Sequence, residues 1–115
     1  MVERCAAERI PDDIPALFAR DIGDPDIEPA HVRNLSDGGA CAFSDASVAV
    51  GAPIYVGFFV DGSGAAPVIA RMRVCWSRPE GMGRLVGLAF LADGPAQRAS
   101  VERMRDYVAT LRARV

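Results

Sequence analysis

Between the short apolar runs His31-Val32-Arg33 and Ala40-Cys41-Ala42-Phe43 stand an amide, a hydroxyl and a glycine pair, in the order Asn34-Leu35-Ser36-Asp37-Gly38-Gly39. A glycine pair between strands marks a bend where the backbone takes positive φ or is closely approached by something else. Asn34 and Ser36 add short, directional hydrogen-bonding groups at that bend. Such a cluster is either plain turn chemistry or a polar cradle for a small ligand, and the rest of the chain must decide between them. Catalysis is not indicated. Ser36 has no G-x-S-x-G context and no identifiable base. His31, the single histidine, has no cysteine or carboxylate at metal-ligand spacing and reads as structural. Asp12, Asp13, Asp24 and Asp26 lie in hydrophilic, turn-like sequence and read as loop-solvating. The chain is expected to be no enzyme and to need no cofactor or metal.

The cations are the second chemical resource. All 13 are arginine, and each presents a planar fork suited to phosphate or to a guanine edge. A genomic base composition that favours alanine and arginine together would give the same bias. Arg4 and Arg9 precede the first apolar run, where by themselves they read as part of a solvated terminus pairing loosely with Glu3 and Glu8. Acidic residues crowd the N-terminal part and arginines the last third, a polarity that guides a partner or simply solvates the surface. A net charge of -2 and 7% aromatic residues give no reason to expect nucleic-acid binding.

At 115 residues and 50% hydrophobic, the chain suits one domain with one core. Its opening is too charged for an export signal, and charges break every apolar run short of a bilayer span. Cys5, Cys41 and Cys75 form no C-x-x-C pair, which suits a reducing cytoplasm. Cys41 and Cys75 sit in apolar runs and read as small core hydrophobes.

Elements to position the motif follow from periodicity. Strands are expected at Ile14–Arg20, around Val32, at Ala40–Phe43, Ile54–Val60, Val68–Trp76 and Leu85–Leu91. Turns are expected around Gly23 and Pro25, at Asp61-Gly62-Ser63-Gly64 and at Glu80-Gly81-Met82-Gly83. On the fifth strand Ala70, Met72, Val74 and Trp76 share one face, with Arg71 and Arg73 on the other, so Trp76 is assigned to the core. After Gly94-Pro95 the apolar positions become Val101, Met104, Val108, Leu111 and Val115, the spacing of one amphipathic helix. The stripe either packs on the sheet or serves as a short seam for a homodimer. Strands first and a helix last imply an antiparallel sheet or small barrel covered by one helix.

Written as [D/N]-x-S-x-x-G, the segment Asn34–Gly39 resembles the second signature of PilZ domains, bacterial receptors for cyclic di-GMP. Arg73-Val74-Cys75-Trp76 and the final strand Val86-Gly87-Leu88-Ala89-Phe90, similar to the family's G-x-x-F strand, extend the resemblance over nearly the whole chain. It implies a mainly β fold: a six-stranded antiparallel β-barrel over residues 12–115, a C-terminal helix at about 95–113, and a flexible arm over residues 1–11. It also implies a cyclic di-GMP site made by Arg4, Arg9, Asn34, Ser36 and Gly39. Arginine forks would take phosphates or guanine edges, each contact contributing roughly 1–3 kcal/mol. Asn34 and Ser36 would meet a guanine edge, and Gly39 would leave room for the base. The family's R-x-x-x-R pattern is incomplete here: Arg9 fills its second place, Cys5 stands in the first, and Arg4 is one residue off. The implied function is a cytoplasmic receptor without membrane insertion that relays its signal to an effector protein. The alternative is a PilZ-like adaptor that has lost the ligand and acts by protein contacts in motility or pilus assembly.

Overall fold

The computed structural model describes residues 10–21, 27–45, 48–60 and 67–114. Six strands, β1 (Ile10–Ala19), β2 (Glu28–Leu35), β3 (Gly39–Ser44), β4 (Pro53–Phe58), β5 (Val68–Glu80) and β6 (Gly83–Phe90), precede one helix, α1 (Pro95–Arg114). All neighbouring strands are antiparallel, in the order β1-β2-β3-β6-β5-β4, and β1 pairs with both β2 and β4. Closure removes the free edge that an open sheet would present. The expected barrel with a terminal helix is therefore what the chain forms.

Period-two alternation fills the interior. Phe18, Val32, Leu35, Val56, Phe58, Met72, Val74, Val86 and Leu88 point inward and are almost fully buried. Burying one such side chain contributes about 1.5–3 kcal/mol. Met104 and Val108 of α1 join the same cluster, with Tyr107 and Leu111 packed beside it, so the helical stripe is spent on the barrel. Pro95 occupies the first helical position, where its missing donor costs nothing.

Three irregularities depart from simple alternation, one each between Pro11 and Ile14, Val32 and Asn34, and Val74 and Trp76. The first explains why β1 begins at Ile10 rather than at the expected Ile14. Ile10 and Pro11 pair with Leu35 and Asn34 beyond a bulge holding Asp12 and Asp13, so charged residues expected in a turn interrupt the apolar pattern without ending the strand. The third bulge corrects the placement of Trp76. An extra residue at Cys75 turns Trp76 to the outer face, where it is half-buried rather than in the core. β5 then runs on to Glu80 and turns through Gly81, whose φ of 57° needs glycine. The turns expected at residues 22–26 and 61–64, and Val115, lie outside the described residues.

Candidate functional site

Three residues, Ser36, Asp37 and Gly38, join β2 to β3. Ser36 is fully buried, and its hydroxyl organises the bend. Gly38 and Gly39 each donate an N–H to Ser36 Oγ at 3.2 Å, and the hydroxyl donates to the Gly39 carbonyl at 3.4 Å. The Ser36 N–H donates to that same carbonyl at 2.8 Å. A hydroxyl has one donor and two acceptor sites, and all are used here. Asn34 and Ser36, given one role by the sequence, are thus separated: Ser36 shapes the bend from within.

Neither glycine of the pair has positive φ. Gly39 is required for the other reason, close approach, because a Cβ there would stand 1.9 Å from the Leu88 carbonyl oxygen. The approaching group is the main chain of β6. Ser36→Ala would take the acceptor from both amides, leaving that of buried Gly39 without it. It is expected to lower stability by about 1–3 kcal/mol, measured by denaturant unfolding.

The second bulge, at Arg33, turns Asn34 outward while Leu35 returns to the core. Asn34 pairs with Cys41, Cys41 with Gly87, and Gly87 with Trp76, so four strands place one row of residues across the outer face. Cys41 is buried in that outer row rather than inside the barrel. The Trp76 indole lies in the space that a Gly87 side chain would fill. Asn34 Oδ1 and Trp76 Nε1 are both buried without a hydrogen-bond partner, an acceptor and a donor at opposite ends of the row. Arg33 stacks over Phe43 at 5.2 Å and Arg78 over Trp76 at 5.5 Å. Arg73, also exposed, lies in the neighbouring row with Ala89 and Gly39. Among the described residues Arg33, Arg73 and Arg78 form no ion pair, whereas Arg71 pairs with Asp93. The outer face over β2, β3, β6 and β5 therefore carries three arginines without an ion pair among the described residues, above two buried polar atoms without a hydrogen-bond partner.

The register of β1 brings the start of the described chain to the same place. Ile10 lies opposite Leu35 and Pro11 opposite Asn34. Arg4, Cys5 and Arg9 themselves lie outside the described residues. No described group of three or more histidine, cysteine or acidic residues is placed to hold a metal ion, and no described helix is long and apolar enough to cross a membrane.

The family model for the PilZ domain matches residues 3–108. This chain is a member of the PilZ domain family. The PilZ domain of CeSA from a cellulose-synthesising bacterium is 26% identical, with a TM-score of 0.63 over 90% of this chain and 99% of that one. The PilZ domain of YcgR from Escherichia coli, solved with c-di-GMP, is 11% identical, with a TM-score of 0.59 over 94% of this chain and 93% of that one. The Bacillus subtilis inhibitor of motility MotI/DgrA is 14% identical, with a TM-score of 0.60 over 94% of this chain and 53% of that one. The last two likenesses show the shared fold. No match was found among curated proteins. Within this PilZ domain, sequence reasoning assigned Trp76 to the core and gave Arg33 and Arg78 no place in the site. Gly87 carried a usable signal, because glycine inside a strand marks a close approach.

Proposed function

We propose that this PilZ domain is a receptor for cyclic di-GMP, held between the outer face of β2, β3, β6 and β5 and the arm arginines Arg4 and Arg9. The observation that carries the reading is the register of β1. Ile10 pairs with Leu35, inside the Asn34–Gly39 motif, and Arg9 is one peptide away, about 3.8 Å between Cα atoms. The ligand presents two phosphates and guanine edges with adjacent O6 and N7 acceptors, and an arginine fork suits either. Guanine also carries an amino donor, the group Asn34 Oδ1 lacks. The indole N–H of Trp76 suits an acceptor of the base or a phosphate. Ser36 and Gly39 contribute by fixing the bend. A neighbour with the same fold was solved with c-di-GMP, which supports the choice of ligand. The receptor works in the cytoplasm and passes its signal to an effector protein by contact.

A second reading keeps the fold and drops the ligand: an adaptor acting by protein contacts alone. It is favoured by Cys5, which stands where the first motif arginine belongs. Arg4 answers it, since a one-residue shift moves the reach of an arm by only about 3.3–3.6 Å.

The single tryptophan separates the two. Trp76 fluorescence should change saturably with cyclic di-GMP and not with GTP. Cys5→Arg should tighten the transition roughly tenfold by adding one charge-assisted contact. Fluorescence unmoved by the ligand in both the parent and Cys5→Arg supports the adaptor instead.

A further inference from the structure

The bend is tied outside its own loop to β6 and to α1. The Gly38 carbonyl accepts from the Phe90 N–H at 2.9 Å, and Phe90 ends β6. The preceding carbonyl, that of Asp37, accepts from Arg105 Nε at 3.1 Å, from the second half of α1. Two successive carbonyls are thus held by the end of β6 and by the middle of α1. Arg105 follows Met104, which is fully buried in the barrel core, and lies one turn after buried Val101. Its guanidinium therefore stands at the margin of the buried stripe and reaches a loop 68 residues earlier in the chain. On the helix's outer side Glu102, Arg103 and Asp106 face solvent.

We infer that Arg105 is a positioning residue that latches the Ser36–Gly39 bend to the C-terminal helix, so that bend and helix order together and whatever occupies the bend is reported by α1. The inference deepens the receptor reading and rests on it for the identity of the occupant; the latch itself does not need the ligand. Linkage makes the effect reciprocal. If a closed latch favours the bend that binds, ligand must favour the closed latch by the same factor. Because the bond is exposed, the expected factor is about fivefold, the low end of such couplings. Signal leaves by the helix face, where a partner can sense how firmly α1 is seated.

Hydrogen exchange on the full chain tests this. In the ligand-free protein, Arg105→Ala should speed exchange of the bend amides over residues 36–39 about fivefold. Arg105→Lys, which still donates, should restore part of the protection. Arg103→Ala, an exposed arginine on the same helix without the bond, should change nothing at the bend. With cyclic di-GMP added, exchange over residues 95–114 should slow in the parent and less so in Arg105→Ala. Unchanged bend exchange in Arg105→Ala, or an equal effect from Arg103→Ala, overturns the latch. If calorimetry shows that the parent binds no cyclic di-GMP, the receptor reading fails, and the ligand-free comparison still decides for or against the latch.

Discussion

Gly39→Val is expected to lower the melting temperature by roughly 10 °C or more, while Gly38→Ala leaves it nearly unchanged. The two glycines are adjacent and look alike in sequence, but their surroundings differ. A Cβ on Gly39 would stand 1.9 Å from the Leu88 carbonyl oxygen, 2.9 Å from its carbon and 3.0 Å from the Ala89 Cα. All three are main-chain atoms of β6, so no side chain can swing aside. The strands must part where Gly39 pairs with Ala89 and Ala40 with Leu88. Overpacking of this kind costs about 1–3 kcal/mol. Displacing Gly39 also withdraws its N–H and carbonyl from the Ser36 cage, leaving buried polar groups unpaired at about 1–3 kcal/mol more. For a domain of this size each kcal/mol shifts the midpoint by several degrees. Gly38 is exposed, has no atom within 4 Å of a built Cβ, and does not adopt positive φ. Its replacement belongs with surface changes worth about 0.5 kcal/mol or less. Thermal melts of the two variants side by side check the packing of the bend. Equal shifts would contradict it.

The second large effect is on affinity. Arg9→Ala should weaken cyclic di-GMP binding about ten- to a hundredfold, and Arg4→Ala by less, with the melting point of both variants close to that of the parent. Ile10 lies opposite Leu35 in the ladder, and Arg9 is its neighbour in sequence, so Arg9 is the arm arginine nearest the motif along the chain. One charge-assisted arginine contact contributes roughly 1.5–3 kcal/mol, which sets the range. Arg4 sits one residue out of the motif's register and further along the chain from the barrel. Arginines of a chain terminus carry little of a fold's stability, which keeps folding and binding separable. An Arg9→Ala protein that binds as tightly as the parent would remove the arm from the site and favour the adaptor reading.

Most of the barrel was legible because alternation and helical period are local signals. Val56, Ala70, Met72 and Val74 announce their strands, and Val101, Met104 and Val108 their helix. The site was legible only as a motif. What it does locally depends on bulges at Arg33 and Cys75, and a bulge leaves no mark in apolar periodicity beyond a slipped register. The slip at Cys75 moved Trp76 from the expected core to the outer row. The slip at Arg33 let Asn34 face outward while Ser36, two residues on, became fully buried. Aspartates in β1 hid its first four residues for a related reason, since charge at a bulge reads as a turn. The Arg105 bond to Asp37 spans 68 residues, and nothing in local sequence could pair them.

Isothermal titration of the purified full chain with cyclic di-GMP tests the central claim most directly. A receptor built as described gives saturable heat with a dissociation constant well below 100 μM and no comparable signal with GTP. Absence of saturable heat up to about 100 μM, a limit of about -5.5 kcal/mol, would contradict it.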